Sequence, residues 1–82
     1  MKTQILYDRV VSGKADCNIR FDDLCKVVSA LGFQFHRQKG SHRIFRHPSL
    51  PEIVNIQPKG HDAKPYQVKQ VRLLILRYKL SL

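Results

Sequence analysis

The chain has 82 residues, which is enough for one small domain but leaves no room for a second hydrophobic core. Hydrophobic residues make up 43% of the sequence, more than a disordered basic tail would contain. The formal net charge is +9, and no apolar run approaches the ~20 residues that span a bilayer. The composition therefore excludes a transmembrane protein and favours a small, folded, basic domain.

The positive charge is concentrated after residue 23. Residues 1–23 contain four basic and four acidic residues, so their charges cancel. Residues 24–82 contain eleven basic residues against the acids Glu52 and Asp62, and they hold the whole excess of nine charges. Basic segments of this kind attract nucleic acid or anionic membranes. Because no membrane-spanning or signal-peptide stretch is visible, we expect a nucleic-acid partner and a cytoplasmic location.

The first part of the chain predicts two helices. Apolar residues along one side of residues 3–12 indicate a short helix, which Gly13 ends. Apolar residues at helical spacing indicate a second helix over 21–31, beginning as early as Asn18. Gly32 follows as the expected stop of this helix.

The middle of the chain predicts a three-stranded antiparallel meander. Residues 33–37 are short and alternating, which is typical of a strand, and the turn at 38–40 leads into a second strand over 41–47. Pro48 breaks the second strand, and a third is expected over 53–57.

A last helix is predicted from Pro65 to about Leu80. Its apolar residues nearly surround it, so we expect one face to contact a partner or a second copy. If the first helix is set aside, the predicted helices and strands follow the order found in the double-stranded-RNA-binding domain. This is an α+β fold with a three-stranded antiparallel sheet and helices packed on one face (α-β-β-β-α). We expect a single domain over 1–82, made of an N-terminal helical extension (1–17) and a core (18–82).

The most informative segment is residues 39–47, in which a glycine turn leads to a histidine among basic residues and no acid. Histidine is the side chain whose unperturbed pKa lets it take or give a proton near neutral pH. The nearby cations, Lys39, Arg43 and Arg46, would attract a phosphodiester and stabilise charge that develops on it. RNA supplies its own nucleophile, the 2′-hydroxyl, so His42 could act as general base or general acid without a metal. The segment therefore indicates RNA cleavage.

The strand alternation leaves the face of His42 undecided. His42, Ile44 and Arg46 point one way and the residues between them the other, and each set contains one apolar residue. The remaining histidines are weaker candidates. His36 is a possible complementary acid across the hairpin, His47 a strand-end structural residue and His61 a phosphate contact.

No metal or cofactor is expected. The four histidines and the two cysteines, Cys17 and Cys25, match no zinc-site spacing, and both cysteines are expected to be reduced thiols. Only six acids are present, four of them before residue 24, which disfavours a two-metal nuclease. The sequence also lacks a Gly-rich nucleotide loop and a Walker lysine motif.

Three runs of the sequence, residues 23–33, 38–48 and 53–58, together resemble the HicA toxins of bacterial toxin–antitoxin pairs. A lysine-containing stretch and the helix at Pro65 follow in the order of that family. The resemblance covers roughly residues 21–80, and its specific part is Gly40-Ser41-His42.

The resemblance implies a double-stranded-RNA-binding-like fold and a metal-independent mRNA endoribonuclease, or mRNA interferase. It also implies a HicB-like antitoxin that covers the toxin in a hetero-oligomer and blocks the active histidine. His42 matches that histidine, and residues 59–64 match a basic loop. The residues expected to bind RNA are Lys39, Gly40, Ser41, Arg43, Arg46, Lys59 and Lys64.

Three other functions stay open at this point. A non-catalytic RNA-binding module predicts the same salt-sensitive affinity for RNA but no cleavage that depends on His42. A DNA-binding module ranks lower, because the last helix is too apolar to enter a groove. A subunit that mainly binds an antitoxin would explain the apolar last helix.

Overall fold

The computed structural model describes residues 2–82. The helices are α1 (Thr3–Ser12), α2 (Phe21–Ala30) and α3 (Pro65–Tyr78). The strands are β1 (Gln34–Lys39), β2 (His42–Arg46), β3 (Ile53–Ile56), β4 (Pro58–Lys59) and β5 (Asp62–Ala63). A short 3₁₀ turn, Asp16–Asn18, connects α1 to α2. Within residues 2–82, no helix is both long and apolar enough to cross a membrane.

The strands form a meander and a separate small hairpin. β1, β2 and β3 lie in that order in one antiparallel sheet, whereas β4 and β5 pair only with each other. The predicted α+β fold with a three-stranded antiparallel sheet is therefore confirmed. The β4–β5 hairpin was not predicted, because strands of two residues are too short to show any alternation.

One face of the sheet packs against the helices. Phe45 and Val54 are directly opposite each other on β2 and β3, and both are almost fully buried. They belong to one hydrophobic cluster with apolar residues of all three helices. The most completely buried members of this cluster are Leu6, Val10, Ile19, Leu24, Val27, Val28, Ile56 and Val68.

The N-terminal helix belongs to this core, a point that the sequence left open. Leu6 and Val10 of α1 are fully buried in the cluster. The Tyr7 hydroxyl donates a 2.8 Å hydrogen bond to the Leu80 carbonyl, which ties α1 to the residues just after α3. Removal of α1 would therefore expose core side chains as well as delete a surface helix.

The predicted ends of the elements are mostly correct. Gly13 and Gly32 both have positive φ, at 72° and 98°, as expected where a helix stops. A Cβ at Gly32 would lie 2.8 Å from Nε2 of His47, so a larger residue would also force the histidine ring to shift. The tight turn between β1 and β2 is Gly40–Ser41, two residues that follow a first strand longer than predicted. α3 ends at Tyr78, because Lys79 adopts the left-handed conformation with φ of 52°.

Candidate functional site

His42 is the first residue of β2 and directly follows the β1–β2 turn. Gly40 provides the positive φ of this turn, 61°, which L-residues rarely adopt. The turn pairs Lys39 with His42 across the hairpin. A lysine and the histidine therefore stand side by side at the end of the sheet, both reached by solvent.

Burial of Phe45 decides which face His42 occupies. Phe45 is only 3% exposed and faces the helices, so the alternation of β2 places His42, Ile44 and Arg46 on the other face. In the described part of the chain, residues 2–82, the helices pack against the face that carries Phe45 and Val54, which is opposite the outer face that carries His42. The three main strands also contain no acidic residue, so no carboxylate within them opposes the cations.

Asn55 of β3 contacts the histidine directly. Its Oδ1 lies 3.0 Å from Nδ1 of His42, within hydrogen-bonding distance. Asn55 is directly opposite Ile44, which puts its side chain on the outer face. Sequence reasoning missed this residue, because the contact joins positions 13 apart on two strands. Only the register between β2 and β3 reveals it.

A bulge in β1 brings a second cation to the outer face. Phe35 pairs with Phe45 and Arg37 pairs with Ile44, so one extra residue, His36, lies between the two pairs. In a regular strand Arg37 would share the face of Phe35, whereas the bulge moves it to the face of His42. Arg37 was not among the predicted RNA-binding residues, and its place on this face is visible only in the pairing register of β1 and β2.

Arg46 shares the outer face but lies at the far end of β2. It follows His42 by four positions, which corresponds to about 13 Å along a strand. The cations of this face closest to His42 in the register are therefore Lys39, directly opposite, and Arg37, two pairs further along β1.

Arg43 lies on the other face, so the structure does not bring it beside His42. Its guanidinium carbon is 5.2 Å from the centre of the Phe21 ring, a cation–π distance. Its Nη1 also lies 3.7 Å from Sγ of Cys25. Arg43 and the histidine point to opposite faces of β2, as strand alternation predicts, so a contact of Arg43 with RNA would lie away from the phosphate beside His42.

Arg43 instead lines a polar groove of about 230 Å³ between two turns. Ser41 of the β1–β2 turn lies on one side, and Gly60 and His61 of the β4–β5 turn lie on the other. Arg20, which precedes α2, adds a further guanidinium to the lining. The backbone N–H of Phe21 bonds the His61 carbonyl at 3.0 Å and holds the β4–β5 turn against α2.

The remaining predicted cations, Lys59 and Lys64, lie outside the three-stranded sheet. Lys59 is exposed on β4 and is paired in register with Asp62. Lys64 immediately precedes α3, and its Nζ lies 6.0 Å from the centre of the Tyr66 ring. The predicted RNA-binding residues thus divide into a sheet-face group and a group near the β4–β5 hairpin.

The other histidines are separated from His42. Lys39 and not His36 is opposite His42, and His36 precedes Lys39 by three positions, which correspond to roughly 10 Å along β1. His47 packs edge-on against Phe33, with ring centres 5.0 Å apart. Its Nδ1 accepts a 3.0 Å hydrogen bond from the backbone N–H of Ser49, so its predicted structural role at the strand end is confirmed.

Cys25 is not arranged as a nucleophile. Burial raises the pKa of the Cys25 thiol, although the hydrogen bond from Arg43 acts in the opposite direction. A thiol must ionise to react, so this environment makes Cys25 less reactive than an exposed cysteine. Within residues 2–82, no three His, Cys, Asp or Glu side chains are grouped so that they could hold a metal ion.

A comparison with known protein families identifies the family of this chain. A family model described as the HicA toxin of bacterial toxin–antitoxin systems matches residues 21–77, which is more than half of the chain. The match begins at α2 and ends within α3, and it includes the whole outer face of the sheet. No curated protein and no solved structure matches the chain.

Proposed function

The chain belongs to the HicA toxin family, and we propose from this premise that it is a metal-independent endoribonuclease that cleaves mRNA and inhibits translation. As a member of this family it is a toxin of a toxin–antitoxin pair. The observation that carries the proposed activity is the outer face of the sheet. There His42 lies beside Lys39 on strands that contain no acid.

His42 is proposed to transfer the proton at the scissile phosphate. Its neutral ring accepts the proton of the 2′-hydroxyl, whose oxygen then attacks the adjacent phosphorus. The bond from phosphorus to the 5′-oxygen breaks, and that oxygen leaves with a proton from solvent or from a second group. The products are a 2′,3′-cyclic phosphate and a 5′-hydroxyl, so no water molecule needs activation by a metal.

Lys39 and Arg37 are proposed to stabilise the transition state. Negative charge grows on the non-bridging phosphate oxygens during the attack, and fixed cations beside the reacting phosphate lower its energy. Both side chains lie on β1 next to the histidine, and both are exposed to solvent. Arg46, further along the same face, would bind a neighbouring phosphate.

The polar groove is proposed to receive RNA that extends from the site past the β1–β2 turn. Gly40 and Ser41 form this turn, and Ser41 and Arg43 also line the groove. The absence of a side chain at Gly40 allows a sugar-phosphate backbone to approach closely. Lys59 lies between the groove residues Pro58 and Gly60 in the chain, and Lys64 follows the β4–β5 hairpin, so both would contact phosphates more distant from the cleavage position. This arrangement gives Arg43 a role in binding that is separate from the chemistry at His42.

The proposed partner, beside mRNA, is a HicB-like antitoxin in a cytoplasmic complex. Membership of the family implies pairing with an antitoxin. α3 leaves Leu73 and Leu76 about half exposed or more, at 51% and 61%. Leucines with this degree of exposure on one helix are typical of a surface that another protein covers.

The test is cleavage of a long mRNA by the purified protein and by His42→Ala, with EDTA present throughout. We expect the wild-type protein to cleave and the variant to lose at least ~10²-fold in rate, which is the usual contribution of a general acid or base. His36→Ala is the matched control, because it removes another exposed histidine from the same sheet. It should retain cleavage close to wild type.

Binding separates this proposal from a non-catalytic RNA-binding module. The His42→Ala variant should bind the same RNA with nearly unchanged affinity, because the cations remain. Equal cleavage by wild type and His42→Ala would refute the assignment of the histidine. Salt-dependent binding without cleavage by either protein would favour the binding module.

A further inference from the structure

The contact between Asn55 and His42 determines which ring nitrogen carries a proton. Oδ1 of Asn55 lies 3.0 Å from Nδ1 of His42. An amide oxygen has no hydrogen and can only accept. The Nδ1 atom must therefore be the donor, and in the neutral ring the other nitrogen, Nε2, then carries a free lone pair.

We propose that Asn55 is a positioning residue that holds His42 as the Nδ1–H tautomer and presents Nε2 as the general base. This inference rests on the function proposed above and adds a residue to it. A histidine side chain that is free in water prefers the other neutral tautomer, in which Nε2 carries the proton. Without Asn55, much of the neutral histidine would then have no lone pair at Nε2.

The same hydrogen bond suits both protonation states of the histidine. When Nε2 takes up a proton, the ring becomes a cation in which both nitrogens donate. The Nδ1–H bond to Asn55 remains intact throughout, so the ring does not need to rotate between accepting and releasing the proton. A fixed ring orientation keeps Nε2 at one place relative to the substrate.

The neutrality of Asn55 fits the charges around it. The charged groups on the outer face are Lys39 and Arg37 on β1 and Arg46 on β2, and β3 contributes none. α2 and α3 pack on the opposite face of the sheet. A carboxylate at position 55 would also accept from Nδ1, but it would partly cancel the positive field that attracts phosphate. An amide orients the ring without that loss.

The decisive measurement is the nitrogen-15 NMR spectrum of the histidine rings at a pH where they are neutral. His42 is assigned by comparison with His42→Ala. In the wild-type protein we expect the signals of the Nδ1–H tautomer. In Asn55→Ala we expect Nε2–H to become the major form, and in Asn55→Asp, which keeps an acceptor, we expect Nδ1–H to be retained. Thermal unfolding of each variant checks that this exposed substitution leaves the fold intact.

Cleavage rates at saturating RNA give the second measurement. The Asn55→Ala variant should cleave RNA about 10-fold more slowly than the wild-type protein. This loss is a part of the rate enhancement that general base catalysis supplies. Asn55→Asp should recover most of that rate while binding RNA more weakly. If Asn55 had only a structural role, neither the tautomer nor the rescue by Asp would be seen.

The two measurements separate the inference from the proposed function. An Nε2–H tautomer in the wild-type protein would overturn the inference, because the amide would then be donating to Nδ1, whatever the enzyme does. The expected tautomers together with no cleavage by any variant would support the inference on orientation and refute the ribonuclease proposal. A rate unchanged in Asn55→Ala would refute a role in catalysis.

Discussion

Two cysteines of this chain are free thiols in very different surroundings. Cys17 is exposed in the 3₁₀ turn, whereas Cys25 is buried on α2. Burial raises the pKa of the Cys25 thiol more than the hydrogen bond from Arg43 lowers it. Because the thiolate is the reactive form, the two residues should differ strongly in chemical reactivity.

We expect iodoacetamide at pH 8 to modify Cys17 at least roughly 10-fold faster than Cys25, because Cys25 is both protonated and covered. Peptide mass spectrometry over time measures the two rates. In urea, where the fold is lost, the rates should become similar. Equal rates in the folded protein would contradict the buried placement of Cys25.

The same environment links stability to pH. Since the pKa of the Cys25 thiol is higher in the folded than in the unfolded chain, the folded state keeps its proton longer. The difference in pKa adds to the free energy of unfolding. This stabilisation is complete below the ordinary thiol pKa of about 8.5 and is lost as the pH rises above it. Urea unfolding at two alkaline pH values should show the loss in wild type, and a smaller loss in Cys25→Ala.

At the scale of elements, one arginine connects α3 to the N-terminal part of the chain. Arg72 donates two hydrogen bonds to the Asp16 carboxylate, at 2.8 and 3.0 Å, and a third to the Val10 carbonyl at 3.2 Å. The bond to Asp16 raises the pKa of Arg72 above its usual value. Both side chains of the pair are mostly shielded, at 16% and 21% exposure, so water competes little with the contact.

We expect Asp16→Asn to lower the free energy of unfolding by about 2 kcal/mol, because it weakens charge-assisted hydrogen bonds of a shielded guanidinium. Urea unfolding followed by circular dichroism measures the change. Asp8→Asn is the matched control, since Asp8 lies exposed on α1 and is bonded only locally to Gln4 among the contacts described. It should change stability by no more than about 0.5 kcal/mol. Equal effects of the two substitutions would show that the Arg72 contact does not connect α3 to this region.

The strands show what alternation alone can and cannot assign. For β2, alternation divides the residues correctly into two sets. The burial of Phe45 then shows that its set faces the helices and that the set of His42 faces away from them. For β1 it fails, because the bulge at His36 shifts Arg37 to the face of His42. A bulge depends on how two strands pair, so the sequence of one strand does not reveal it.

At the scale of the whole molecule, the acids are distributed unevenly between the helices and the sheet. α1 and most of the acids belong to the helical layer, whereas the outer face of the sheet carries Arg37, Lys39 and Arg46 without any acid. RNA affinity should therefore depend on salt mainly through the sheet face and the adjacent groove.

We expect Lys39→Gln to reduce the slope of log affinity against log salt concentration by about 1, because one phosphate contact is lost. The measurement uses a labelled RNA and the His42→Ala background, so that the RNA is not cut. Lys14→Gln removes the same charge from the loop after α1 and should leave the slope nearly unchanged. A similar reduction by both substitutions would mean that RNA affinity depends on the net charge of the protein and not on cations at the sheet face.

The type and order of the main elements could be predicted from the sequence alone. The sequence also showed the basic character of the chain, its resemblance to the HicA toxins and His42 as the candidate catalytic residue. These features depend on local periodicity, on composition and on the short motif Gly40-Ser41-His42, all of which are visible in neighbouring positions. The tertiary structure alone decided the face of His42, the position of Arg43 on the opposite face, and the contacts of Asn55 and Arg37. Each of these depends on the pairing register and on which side chains the helices cover, and both are set by contacts between residues distant in the sequence.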